Sequence, residues 1–128
     1  MKVLVCGSRN WSAIAPIEAR LMELPSDTLI IHGAARGADT IAGSIAIKLK
    51  LDVETYPAHW GQYGKGAGPI RNRVMLDQRP DLVIAFCLDY ATSKGTKDCI
   101  DEAVRRGIPT EIISPAGLPT QAVPEIRA

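Results

Sequence analysis

Five cations, Arg9, Arg36, Lys65, Arg71 and Lys94, each lie in a segment that follows a short apolar run. Charges of this kind beside helix starts suit phosphate. Arginine offers a planar fork of donors, lysine a compact charge, and a helix start adds unpaired N–H groups and partial positive charge. The richest stretch is Gly33-Ala34-Ala35-Arg36-Gly37-Ala38-Asp39, which follows Thr28-Leu29-Ile30-Ile31-His32 and opens a helical pattern. Its small residues let backbone N–H groups approach a ligand closely, although glycines serve plain strand-to-helix turns equally well. A second such turn, Ser93-Lys94-Gly95, runs into Thr96. Thr96 can cap its helix or offer a hydroxyl to phosphate, and the two roles share one geometry. Asp39 can cap its own helix or accept a ribose hydroxyl.

Trp11, Tyr56, His59, Trp60 and Tyr63 cluster in or beside two of these loops. Trp11 and Trp60 suit either stacking on a planar ring or packing beneath a loop, and Tyr56 suits packing. His32 and His59 read as hydrogen-bonded structural residues. Asp89 and Asp98 are candidate acids, but nothing in the sequence holds them as a catalytic pair.

The elements that must position these side chains read from the periodicity. Apolar strands are expected at Lys2–Cys6, Thr28–His32, Asp52–Tyr56, Asp81–Phe86 and Ile108–Ile113. Four helices alternate with them. The first carries the stripe Ile14, Ile17, Leu21 and Leu24, with Ser12 as its cap and Pro25 as its stop. The second carries Ala38, Ile41, Ala42, Ile45, Ala46 and Leu49, and the third runs from Pro69 towards Pro80. The fourth runs from about Thr96 to Arg106, with Cys99, Ile100, Ala103 and Val104 inward. Residues 58–68 read as a long glycine-rich loop of the functional kind.

This alternation predicts an α/β fold: one Rossmann-like, doubly wound domain over residues 1–114, a five-stranded parallel sheet with helices on both faces and right-handed crossovers. Residues 115–128, with prolines at 115, 119 and 124, read as an irregular tail. In such sheets ligands bind beyond the carboxyl ends of the strands, where all five cations are placed.

The totals bound the alternatives. A chain of 128 residues suits one domain, and 46% hydrophobic with 23% charged residues is a globular composition. A net charge of +1 supplies no long-range basic field for nucleic acid or membrane, so any electrostatic function must be local. Cys6, Cys87 and Cys99 lack metal-ligand spacing and read as reduced thiols in a cytoplasmic compartment, with no metal and no cofactor implied. No apolar run approaches the roughly 18 residues of a bilayer span, and no signal segment is evident.

Taken in order, Cys6-Gly7-Ser8-Arg9, Gly33 to Asp39, Tyr56-Pro57-Ala58, Trp60, Ala67-Gly68-Pro69-Ile70-Arg71-Asn72, Met75, Pro80-Asp81 and Lys94-Gly95-Thr96 resemble the YspA-like branch of the SLOG superfamily from Lys2 to about Ile113. The resemblance implies a Rossmann-like fold that binds nucleotides or nucleotide-derived ligands, often as homodimers or higher homo-oligomers. The Lonely Guy phosphoribohydrolases of that superfamily carry Arg-Lys-x-x-Met and Pro-Gly-Gly-x-Gly-Thr-x-x-Glu, whose Arg and Glu are implicated in catalysis. Arg71-Asn72-Arg73-Val74-Met75 matches the first with Asn for Lys; of the second only Gly95-Thr96 remains, and Cys99 stands where the Glu would be. Cleavage of a glycosidic bond needs a carboxylate near the anomeric carbon, which a thiol does not replace. Asp98 and Glu102 are the nearby substitutes, off the helix face of position 99.

The expected ligand-binding set is therefore Gly7, Ser8, Arg9, Trp11, Gly33, Ala34, Arg36, Gly37, Asp39, Arg71, Asn72, Lys94, Gly95 and Thr96, with Arg36, Arg71, Gly95 and Thr96 on phosphate and Arg9 and Trp11 on the base side. No catalytic residue is assigned. The expected role is a sensor or sequestering module for a nucleotide or nucleotide-derived small molecule. A phosphoribohydrolase using Arg71 with Asp98 or Glu102 is the alternative. Single-stranded DNA binding, as in DprA relatives, is the third reading and the one that the near-neutral charge disfavours.

Overall fold

The computed structural model describes residues 1–116 and 119–120; residues 117–118 and 121–128, most of the expected irregular tail, lie outside the described residues. Five parallel strands form the sheet: β1 (Lys2–Gly7), β2 (Leu29–His32), β3 (Asp52–Thr55), β4 (Leu82–Phe86) and β5 (Thr110–Ile113). A two-residue antiparallel strand, β6 (Pro119–Thr120), pairs with β5 inside the stretch read as irregular. Proline is tolerated there because an edge strand can spare an amide donor. The order is β3-β2-β1-β4-β5-β6.

Helices α1 (Ile14–Met22) and α2 (Ala38–Lys48) cover one face of the sheet, and α4 (Ala67–Asp77) and α5 (Lys94–Arg105) the other. Strand β1 shows how the sequence divides between them. Val3 and Val5 pack with Ile17, Leu21, Ala42 and Ala46, whereas Leu4 and Cys6 pack with Met75, Leu76, Ile100 and Ala103. With both faces covered, central strands read as unbroken apolar runs, and β4 is buried at every position. Edge strand β3 is largely exposed, which explains its weaker pattern.

Two local expectations change. Helix α1 starts at Ile14 after Ala13, with no side-chain cap from Ser12, and Ile14 itself faces solvent. Its entry is set instead by Trp11, whose buried indole donates Nε1–H to the Ala13 carbonyl at 2.6 Å. The segment read as a long loop contains a short helix, α3 (Trp60–Tyr63), and a 3-10 turn, Gly64–Gly66.

After β1 the chain moves outward to β2 and β3, then returns to place β4 on the other side of β1. The connections leaving β1 and β4 diverge, opening a crevice at their carboxyl ends. Ser8 ties its walls together. Its N–H donates to the Phe86 carbonyl at 2.9 Å, its own carbonyl accepts from Trp11 and Ala38 at 3.2 Å each, and its Oγ accepts from the Leu88 N–H at 2.9 Å. Gly37 lies against the same junction with φ +83°, and a Cβ there would fall 2.4 Å from the Ser8 carbonyl oxygen and 2.5 Å from that of Arg9. Gly37→Ala combines unfavourable φ with overlap against backbone, and should lower stability by about 2–4 kcal/mol, read as a reduced urea midpoint at unchanged slope.

Candidate functional site

A cleft of about 590 Å³ opens at this edge of the sheet. It is walled by the loop after β1, the turn into α2, Trp60 and Lys65, the start of α4, and the turn into α5. Arg9, Arg36, Lys65, Arg71 and Lys94, expected from sequence on one rim, all line it. None of the five is in an ion pair among the described residues, whereas Arg20, Lys48, Arg73, Lys97, Arg105 and Arg106 all are. The cleft contains two carboxylates, Asp39 and Asp98, against these five cations. A local positive field thus exists on a chain whose net charge is +1.

Arg71 and Asn72 fix opposite walls. Arg71 Nη1 donates to the Gly33 carbonyl at 2.6 Å, and its Nε donates to Asn72 Oδ1 at 3.0 Å. This approach requires Gly33 to lack a side chain, since a Cβ would lie 2.2 Å from Nη1. Arg71 Nη2 carries no protein hydrogen bond among the described residues. Buried Asn72 donates from Nδ2 to the Gly95 carbonyl at 3.2 Å and to Asp98 Oδ2 at 3.0 Å, holding the start of α5.

The turn into α2 is built around Asp39 and His32. Asp39 Oδ2 accepts from the N–H of Gly33 at 3.0 Å and of Ala35 at 3.4 Å, so the carboxylate braces the turn preceding its helix. Only 4% of Asp39 is exposed, and burial pushes its pKa up to about 6 against the opposing pull of Arg71, the two N–H groups and Arg9. His32 Nδ1 accepts from the Ala34 N–H at 3.0 Å, and burial with the Arg71 charge lowers its pKa, which keeps the ring neutral. Ala34 consequently sits at φ +57°.

Of the expected ligand-binding residues, Gly7, Ser8, Arg9, Arg36, Asp39, Arg71, Asn72, Lys94, Gly95 and Thr96 line the cleft. Gly33 and Ala34 line an adjoining pocket of about 320 Å³ that shares Arg9, Arg36, Trp60 and Arg71 with it. Trp11 and Gly37 line neither. Trp11 is 2% exposed, edge-on to Phe86 with ring centroids 5.6 Å apart, so it belongs to the core and not to the base side of a ligand. Gly37 acts on the wall, as described above. Thr96 is the third residue of α5 and does not cap it; Ser93 precedes the helix, with its Oγ 3.1 Å from Ser8 Oγ. Asn10, Pro69, Met75 and Ser93 also line the cleft and were not in the expected ligand-binding set, although Pro69 and Met75 belong to the motifs of the family resemblance and Ser93 to the Ser-Lys-Gly turn.

The two candidate acids separate. Asp98 lines the cleft but accepts from Asn72 and, at 3.4 Å, from Arg73. Glu102 lies outside the lining and is held by Arg105, Arg106 and Arg73; hydrogen bonds from the first two bring its pKa down to about 2. Cys99 is fully buried behind Cys6, which lines the cleft; the neighbouring Cys99 thiol, with burial, pushes the Cys6 thiol well up. No group of side chains suited to a metal ion occurs among the described residues, and none of their helices is long and apolar enough to cross a membrane.

Residues 1–63 match the family described as YspA, cpYpsA-related SLOG family. The gene 61 protein of Mycobacterium phage D29 is 37% identical over 117 residues, an alignment covering 84% of this chain and 92% of the phage protein. DNA processing protein A from Streptococcus pneumoniae superposes on 88% of this chain with a TM-score of 0.67 at 21% identity, a likeness of fold; the chain spans about half, 49%, of that structure.

The Asp39 environment has a measurable consequence. Its folded pKa, about 6, lies above the ordinary 3.8, so the protonated form is the one the fold favours. That contribution is complete below about pH 4 and is lost as pH rises through 6, on the order of 3 kcal/mol. Asp39→Asn retains an acceptor for the two N–H groups without the charge. Urea unfolding at pH 4 to 7 should show the Asn variant gaining on wild type by up to about 3 kcal/mol as pH rises; a difference independent of pH would refute the assignment.

Proposed function

Because this chain belongs to the YspA, cpYpsA-related SLOG family, we propose that its cleft captures a phosphorylated, nucleotide-derived small molecule, as a sensor or sequestering module does. Family membership supports a nucleotide-related ligand in general. The observation that carries the narrower reading is the placement of charge: five cations without ion-pair partners face one cleft, while six of the nine other described cations are neutralised by carboxylates and the remaining three, Lys2, Lys50 and Arg79, lie outside it. Unpaired like charges held close together repel, and a polyanionic ligand relieves that repulsion. Arg36 and Lys94 approach from opposite walls, and Gly95 and Thr96 bring N–H groups at the start of α5.

A phosphoribohydrolase remains the second reading, favoured by one feature, a cleft carboxylate, Asp39, whose pKa of about 6 suits acid–base chemistry near neutrality. Asp39 and Asp98 both already accept protein hydrogen bonds, which favours capture over cleavage. DNA binding rests on the name of the pneumococcal structure, which belongs to that protein; here it would require affinity that falls steeply with salt.

Calorimetry against nucleoside mono-, di- and triphosphates, cyclic nucleotides, NAD and ADP-ribose should find at least one tight ligand. Arg36→Ala and Lys94→Ala should each weaken it about tenfold or more, as loss of a charge-assisted hydrogen bond predicts, with little change in melting temperature. No binding by any of these compounds would sink the proposal. Release of free base from a nucleoside monophosphate, abolished by Asp39→Asn or by Asp98→Asn, would replace it with the hydrolase.

A further inference from the structure

Resting on that reading of the cleft, we infer that Trp60 is a stacking platform for an aromatic ring of the ligand, with Arg9 as its movable cover. The site would then select a nucleobase-bearing phosphate over a simple sugar phosphate.

Of the aromatic residues that the sequence gathers near the strand ends, Trp60 alone lines the cleft. Trp11 is in the core, and Tyr56, His59 and Tyr63 border a separate groove on the far side of Arg71, beside Ile70 and Val74. Trp60 also borders the adjoining smaller pocket, so its ring stands at the junction of the two compartments. It is 48% exposed, a large apolar surface to leave in water within a charged cleft. Its position is built rather than incidental: the outer edge of the indole lies over Gly68, where an added Cβ would sit 3.3 Å from the ring.

Arg9 completes the arrangement. Its guanidinium lies over the Trp60 ring, 5.6 Å from the centroid, and makes no hydrogen bond or ion pair among the described residues. A planar ring between two planar groups needs about 7 Å, twice an aromatic stacking thickness, so Arg9 must move outward to admit one. No hydrogen bond among the described residues fixes it, and Asp39 acts on it only through its charge. A base entering this gap keeps the cation–π character of the stack while placing its phosphates among Arg36, Arg71 and Lys94.

The test compares wild type with Trp60→Ala and Trp60→Phe by calorimetry, using AMP, ADP, NAD and ADP-ribose as ring-bearing probes and ribose 5-phosphate and inorganic pyrophosphate as probes without a base. Trp60→Ala should weaken the ring-bearing probes about 5- to 150-fold, the range for loss of one stacked base, and leave the others unchanged. Trp60→Phe should recover most of the loss, and ring-bearing probes should quench indole fluorescence in wild type but not in that variant. Unchanged nucleotide affinity in Trp60→Ala overturns the stacking while pyrophosphate binding still upholds the anion site. Equal losses for both probe classes would mean that Trp60 merely shapes the cleft, which also overturns it. Failure of every probe to bind wild type removes the anion site and the platform together.

Discussion

Three loops leaving different strands must meet at one point for the cleft to exist, and the backbone and hydroxyl of Ser8 make that meeting. Its amide continues the β1–β4 pairing to Phe86, its carbonyl accepts from the first residue of α2, and its hydroxyl holds Leu88 beyond β4 and faces Ser93. The small side chain is essential to this: the hydroxyl has one proton and two lone pairs, and the contacts to Leu88 and Ser93 occupy it. Gly37 can approach the same carbonyl only because it has no Cβ. The resulting junction is rigid and nearly buried, so the charged residues following it inherit a fixed origin while their own side chains remain in solvent.

From that origin the charges are sorted by what neutralises them. On the outer surface of α4 and α5, Glu102 draws Arg73, Arg105 and Arg106 to itself, and Asp77 adds a second contact to Arg106. These ion pairs hold two helices together and keep three guanidinium groups out of the cleft. Within the cleft neither carboxylate forms an ion pair with one of the five lining cations. Asp39 is turned towards N–H groups of its own loop, and Asp98 towards Asn72 and Arg73. Repulsion among the remaining cations is tolerated because most are exposed and well solvated; Arg71, the least exposed, is held by carbonyl oxygens instead of carboxylates.

The family, the parallel α/β fold and the rim of cations were legible because they rest on periodicity and on ordered motifs such as Gly33 to Asp39. Side-chain direction was not. Trp11 and Trp60 are the same residue type in similar glycine-bearing or polar surroundings, yet one is sealed against Phe86 and the other stands in the cleft. What separates them is the hydrogen bond from Trp11 to Ala13 and the open space above Gly68, both matters of three-dimensional fit. Capping failed for a related reason. Ser12, Asp39 and Thr96 are good capping types, but α1 is entered through Trp11, Asp39 serves the preceding turn, and α5 begins two residues before Thr96. Strand β6 had no periodic signal, being two residues in an antiparallel edge pair.

The substitution at position 99 gains a physical meaning from its surroundings. Cys99 has no exposed surface; it packs with Ile100, Ala103, Met75 and Ala85, and lies behind Cys6 and Met75, which line the cleft. A carboxylate at that depth carries a large desolvation cost unless a cation or a ligand group compensates it, and Cys6 and Met75 offer neither. With a thiol at position 99 that cost does not arise, and the packing around it is apolar. The carboxylates that remain are at the sides, committed to holding the turn into α2 and the start of α5. On the proposed reading, a cleft whose charge lies in its walls above an apolar base is suited to holding an anion.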